Sequence, residues 1–177
     1  MRSALASVAV VLLAATPLAA GEAQQPRASQ LGTVSQTIDS CVVTIEYSRP
    51  SLRGRTPFGS VVRWGTKWTP GANWATTFDV TRDVTLDGQP LPKGKYSVWM
   101  IPQETDDWTV IFHKDARRFH TQRPDSAGEQ LRLAVHPEQG EEMETLAWYF
   151  PYVQGDSATL RMHWGTTMVP LRVRAGR

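Results

Sequence analysis

From Cys41 onward the chain is written in short runs of β-branched and aromatic residues in which apolar and polar positions alternate, broken by glycine, proline and aspartate at fairly regular spacing. A period of two is the mark of a strand with one buried face, and several such runs in a row predict an all-β fold. The runs are Cys41 to Tyr47, Trp74 to Val80, Val84 to Leu86, Lys95 to Ile101, Trp108 to His113, Gln130 to His136, Glu144 to Phe150, Ala158 to Trp164 and Met168 to Val173. Core faces follow from the alternation: Leu131, Leu133 and Val135 on one strand, Leu146, Trp148 and Phe150 on another, and Leu160, Met162 and Trp164 on a third, with Arg161 and His163 pointing the other way. Val110, Ile111 and Phe112 are continuous rather than alternating, which predicts a central strand covered on both faces. Asp87-Gly88, Pro92-Lys93-Gly94 and Gly155-Asp156-Ser157 read as tight turns, and Gly165-Thr166 as a turn from Trp164 into a last antiparallel strand. The stretch 116–129 reads as a surface loop with room for a short helix. The expected architecture is an antiparallel β-sandwich, one domain over 33–174.

The first residues follow a different rule. Met1, Arg2 and Ser3 precede an apolar run from Ala4 to Ala15, then Pro17 and the small residues Ala19, Ala20 and Ala23. A charged start, a short apolar stretch and small residues before a cut are the features of a secretory signal peptide, assigned to 1–23. The run is shorter than the roughly 20 residues that span a bilayer, and no later segment approaches that length, so no transmembrane segment is expected. Residues 24–32 are expected to form a flexible tether. The mature product is expected to be exported and soluble, either periplasmic or extracellular.

About 155 residues then remain, enough for one domain with a real core. The single cysteine, Cys41, can form no intramolecular disulfide. Its alternation with Val43, Ile45 and Tyr47 predicts a buried, inert thiol. The net charge is +2, and loss of the leader removes one base and one acid. No basic stripe or recognisable module points to nucleic acid.

Charge matters locally. Between Ser48 and Thr77 the chain holds Arg49, Arg53, Arg55, Arg63 and Lys67 and no Asp or Glu, interleaved with Phe58, Trp64, Trp68 and Trp74 and with several glycines and prolines. Clustered guanidinium groups suit carboxylates or phosphates, and indole faces suit sugar rings or cations. Arg49, Arg53, Arg55, Trp64, Trp68 and Asn73 are therefore the candidate ligand-binding residues. The plainer reading of the segment is structural: arginines can lock a long loop by bonding backbone carbonyls or by pairing with an acid such as Glu46 or Asp79, and tryptophans fill core.

Other constellations point to less. His113, His120, His136 and His163 lack the close spacing of metal ligands, so no metal is expected. His136 and His163 fall on the polar sides of their runs. His113, Lys114 and Asp115 cannot converge on one atom, because neighbours on a strand face opposite ways. The acidic run from Glu138 to Glu144 reads as a solvated loop. No serine elbow or phosphate-binding glycine loop is present, and no cofactor is expected.

The blocks Tyr47-Ser48-Arg49-Pro50-Ser51, Arg53-Gly54-Arg55, Phe58-Gly59, Gly71-Ala72-Asn73, Leu91-Pro92-Lys93-Gly94-Lys95-Tyr96 and Trp108-Thr109-Val110-Ile111-Phe112, with Trp68, Ala75-Thr76 and Ile101-Pro102, resemble the DUF2911 family, a set of exported bacterial domains of unknown function. The resemblance runs from about Thr33 to Val173. It implies a β-sandwich and brings no catalytic residues with it. Members of that family often carry Arg after the tryptophan, Glu after the asparagine and His near the N-terminal approach, where this chain has Thr69, Trp74 and Gln30 or Leu31. A site using that acid or imidazole would be altered here.

Three functional readings stand. The first is a non-catalytic exported binding or accessory domain for a small anionic or sugar-like (carbohydrate) ligand. The second is a hydrolase or lyase acting on an envelope polymer, with Arg55 stabilising an anion, although no acid–base pair is visible. The third is a structural or protein-interaction role in the cell envelope.

Overall fold

Alternation places Cys41, Val43, Ile45 and Tyr47 on the buried face of a strand over Cys41–Arg49 in the computed structural model, which describes residues 27–176. That strand is β2. Before it lies β1 (Gln30–Ile38), and after it come β3 (Thr77–Val80), β4 (Val84–Leu86), β5 (Gln89–Leu91), β6 (Gly94–Ile101), β7 (Trp108–His113), β8 (Glu129–Val135), β9 (Glu138–Gln154) and β10 (Ser157–Ala175). A six-stranded sheet in the order β1-β2-β3-β6-β7-β8 packs on a four-stranded sheet in the order β5-β4-β10-β9, and every pairing is antiparallel. The fold is thus the expected all-β sandwich, without a helix among the described residues. The signal peptide expected over 1–23 lies outside them.

The two sheets are stitched together where the chain leaves β2. Leu146 donates its N–H to the carbonyl of Pro50 at 2.9 Å, and Leu52 donates to Glu144 at 2.9 Å. Beside them the hydroxyls of Ser51 and Thr145 lie 2.7 Å apart. The Tyr47 hydroxyl accepts the N–H of Trp148 at 3.0 Å in the buried interior. One core runs between the sheets, from Ile38 and Cys41 through Phe78 and Phe112 to Leu160, Trp164 and Leu171. Cys41 is fully buried within it, as its alternation predicts. β7 lies between β6 and β8 and is covered on both faces. Val110 and Phe112 enter the main core, while Ile111 packs with Ala75 and Trp99 in a second cluster.

Several expectations change. The tether expected over 24–32 overlaps β1, since Gln30, Leu31 and Gly32 pair with Arg49, Ser48 and Tyr47. β1 is an edge strand, and its outward residues are polar enough to read as linker. β5 follows the Asp87-Gly88 turn, where both residues have positive φ as a two-residue type I′ hairpin requires. The strand expected from Trp74 begins only at Thr77. The stretch 116–128 holds no helix.

The largest difference is in β9 and β10. The acidic run expected as a loop is the first part of β9, with Glu138 opposite Met168 and Met143 opposite Gly165. The turn expected at Gly165-Thr166 lies inside one continuous strand, at a bulged stretch of its pairing in which the extra residues belong to β9. Gly165 takes a left-handed conformation (φ 58°), and the pairing shifts register on either side of it. The buried row consequently changes parity, from Ala158, Leu160, Met162 and Trp164 to Val169, Leu171, Val173 and Ala175. His163 is buried as well, contrary to its expected polar placement, because Tyr149 and the carbonyl of Glu141 close over its ring at 3.3 and 2.9 Å.

Two outcomes test this account. Tyr47→Phe leaves the buried N–H of Trp148 without a partner, which costs about 1–2 kcal/mol. Calorimetry should show a fall of about 3–6 °C in Tm; an unchanged midpoint would mean that the hydroxyl does not join the sheets. Gly165→Ala should destabilise by about 2 kcal/mol, because the φ is unfavourable for alanine and its Cβ would stand 2.8 Å from Pro57 Cγ. A Tm equal to the parent's would remove the bulge from the account.

Candidate functional site

The basic, aromatic segment between β2 and β3 is a series of tight turns that closes one end of the sandwich. Arg53, Gly54, Gly59 and Gly65 have positive φ. The turns are tied by backbone bonds from Arg55 to Leu52, Val62 to Pro57 and Gly59 to Val62. Trp68 and Met100 exchange both of their backbone hydrogen bonds, which fastens the segment to β6. Leu52, Phe58 and Val62 turn inward. Phe58 is the hub, with its ring centroid 4.6 Å from Trp108, 5.8 Å from Trp68, 5.9 Å from Trp164 and 6.2 Å from Trp64. Edge-to-face and offset contacts of this kind add about 0.5–1.5 kcal/mol each beyond the area they bury.

The structure divides the candidate residues among three environments. Trp68 is half-buried and stacks on Trp164 at 5.9 Å, so its indole fills core. Arg49 lays its stem over Gly32 and donates from Nε to the Leu146 carbonyl at 3.3 Å. Asn73, in a left-handed conformation (φ 62°), donates from Nδ2 to Ser29 O and Ser48 Oγ, each at 3.2 Å. Its carbonyl accepts from His120 N at 2.8 Å. These groups hold the backbone of the chain's other flank.

Arg53, Arg55 and Trp64 stay together. Arg55 and Trp64 line a cleft of about 440 Å³ with Phe58, Glu142, Glu144 and Thr166. Arg53 adjoins it through its backbone N–H, which donates to Glu144 Oε1 at 2.8 Å. The Arg55 guanidinium bonds two carbonyls, Nε to Leu52 at 2.8 Å and Nη2 to Ser51 at 3.0 Å. Those two bonds match the structural reading of the arginines, yet the side chain remains exposed. Trp64 is 36% exposed, propped from below by Phe58. The anticipated pairing of these arginines with Glu46 or Asp79 does not occur among the described residues. Lys67 is the segment's paired cation, 3.1 Å from Glu129.

Glu142 and Glu144 are the residues of this cleft that the sequence reading passed over. Their signal was present as spacing: they share parity with Leu146 and Trp148, and past the end of the core they are exposed along the cleft. The histidines do not gather here. His113 is buried and accepts the Asp115 N–H on Nδ1 at 3.0 Å, and His136 meets Asp107 at 2.8 Å on the surface.

A two-sheet antiparallel domain whose open end is capped by an aromatic, arginine-rich segment is the class these observations define. The chain belongs to the family described as Protein of unknown function (DUF2911), whose model matches residues 29–173. No curated protein and no solved structure matches it. The matched span includes β1, in keeping with its place in the sheet. Of the positions that the family resemblance singled out, Thr69 is buried, donating to Val98 O and accepting from Thr76 N at 2.9 Å each. Leu31 and Trp74 lie together on a different cleft, described below.

Arg55→Ala should lower stability by about 1 kcal/mol, since the carbonyls of Leu52 and Ser51 lose a charged donor, while that of Leu52 keeps the Arg55 N–H. The Tm should fall by about 2–4 °C. A parent-like Tm would show that the guanidinium is not needed by the turn.

Proposed function

We propose that the chain is an exported, non-catalytic binding domain that holds a small, uncharged, sugar-like ligand in the cleft between the aromatic cap and the β9–β10 bulge. The observation that carries this reading is the Trp64 indole, left 36% exposed at the rim of a concavity whose polar groups have both signs. Binding sites combine apolar walls with a few placed polar groups. Here the wall is Trp64 over Phe58, and the polar groups are the Arg55 guanidinium, the Glu142 and Glu144 carboxylates and the Thr166 hydroxyl. Carboxylates accept from hydroxyls and a guanidinium donates to them, a set that suits a polyol. A phosphate or carboxylate would meet two acids, which disfavours the anionic alternative. Export is part of the same reading. It rests on the pattern of residues 1–23, and no helix among the described residues is long and apolar enough to cross a membrane.

The presence of two carboxylates also favours the second reading, a hydrolase acting on an envelope polymer. Such enzymes place their acids on either side of the bond that breaks. Glu142 and Glu144 rise from one strand on one face, side by side, an arrangement for holding hydroxyls rather than for flanking a bond.

Isothermal titration of neutral mono- and disaccharides, with uronic acids as the charged comparison, tests the proposal. Neutral sugars should bind, and Trp64→Ala should weaken them at least tenfold, about 1.4 kcal/mol, in a protein that still folds cooperatively with a Tm lowered by a few degrees through the lost contacts with Phe58 and Trp108. Uronic acids should bind more weakly and recover in Glu142→Gln. No binding by any sugar, or binding indifferent to Trp64→Ala, would overturn the reading. Cleavage of an oligosaccharide that is lost in Glu144→Gln would replace it with the hydrolase.

A further inference from the structure

On the outer face of the six-stranded sheet a second cleft of about 440 Å³ is built from β1, β2, β3, β6, the end of the segment that joins β2 to β3 and the loop that follows β7. Its two ends differ in chemistry. At one end Leu31 and Trp74 line it, and they are 66% and 45% exposed. At the other the lining includes Glu46, Thr77 and Lys95, and Arg117 borders the wall between them.

Trp74 does not stand in water for want of a place to pack. Asn73 before it is fixed in a left-handed conformation by bonds to Ser29 and Ser48, and the Phe119 ring meets the indole edge-on at 5.6 Å. The Arg117 guanidinium lies 5.2 Å from the ring centroid. Ala75 donates its N–H to Arg118 O at 2.8 Å, so both chain segments forming this wall are tied together. An apolar side chain held rigidly at the mouth of a concavity is prepared for a ligand, because little ordering remains to be done when one arrives.

The charges decide the kind of ligand. Glu46, Lys95 and Arg117 are all exposed, and none makes an ion pair or a side-chain hydrogen bond among the described residues. A lone anion would find Glu46 against it, and a lone cation would find Lys95 and Arg117. A molecule with one ammonium and one carboxylate satisfies both, and an apolar substituent on it reaches Leu31 and Trp74. We infer that this cleft is a site for a free apolar α-amino acid, with Glu46 taking the ammonium, Lys95 and Arg117 the carboxylate, and Trp74 the side chain. It is separate from the Trp64 cleft, with which it shares no lining residue.

The test is titration of the purified protein with L-phenylalanine and L-leucine beside N-acetyl-phenylalanine, phenylalaninamide and 2-phenylethanol, followed by calorimetry or by NMR of the tryptophan N–H signals. The two amino acids should bind at least tenfold more tightly than the derivative lacking either charge. Trp74→Ala should weaken phenylalanine at least tenfold while Trp64→Ala leaves it unchanged. Glu46→Gln should weaken phenylalanine and bring N-acetyl-phenylalanine level with it, a reversal that a damaged fold would not produce. Equal binding of all four phenyl compounds would overturn the zwitterion assignment. Absence of binding up to millimolar concentrations, or binding that survives Trp74→Ala, would overturn the site.

Discussion

The exit of the chain from β2 is the constraint on which the rest of the structure depends. Within a few residues, Tyr47 reaches across the core to the Trp148 N–H, Ser48 receives Asn73, Arg49 bonds Leu146, and Pro50 and Leu52 pair with β9. With no disulfide and no helix among the described residues to clamp the sheets, this junction sets their spacing and register on one side. It also sets both clefts. Ser48 helps fix the turn that lifts Trp74, and the Leu52 pairing brings Glu144 and its neighbour Glu142 up to Arg55. Closing one side of a sandwich with backbone bonds removes unpaired strand groups at the junction and limits edge exposure.

The chain's seven tryptophans show how the same side chain divides between core and rim. Trp99, Trp108, Trp148 and Trp164 are at most 3% exposed, and Trp68 is stacked beneath the cap. Trp64 and Trp74 are the exposed ones, and each is backed by another ring, Phe58 or Phe119. Burying a large aromatic side chain stabilises by about 1.5–3 kcal/mol. Two indoles left unburied in a domain that packs the others so fully, each bordering a concavity, are the strongest indication that the surface is built for contact.

Much of the fold was legible because alternation is a local property. β2, β6 and β7 follow from their own residues, and the Asp87-Gly88 turn from the φ it demands. What failed depended on a partner strand. Gly165 can end a strand or bulge it, and only the extension of β9 opposite decides which; the acidic residues that hid that extension are polar because their side chains, not their backbones, face water. β1 was missed for a similar reason, since an edge strand needs few apolar residues. At the site, the basic cluster was visible as composition but not as geometry. Arg49 and Asn73 left it to bind backbone, and the carboxylates that complete it came from far along the sequence, Glu144 lying 91 residues from Arg53.

That mixture removes an opposition between the structural and ligand-binding readings of the arginines. A guanidinium carries five N–H donors in a planar fork. Arg55 spends two of its groups on the carbonyls of Ser51 and Leu52, which fixes the plane of the fork and leaves Nη1 with no protein partner among the described residues. A side chain anchored in this way loses less entropy on meeting a ligand than a free one, whose rotamers must be ordered at the moment of binding. The hydrogen bonds that tie the cap down are thus also those that aim its remaining donors into the cleft. On the proposed reading, loss of Arg55 should therefore be felt in the turn it ties and in affinity together, whereas loss of Trp64, which makes no side-chain hydrogen bond among the described residues, costs the fold only its packing on Phe58 and Trp108.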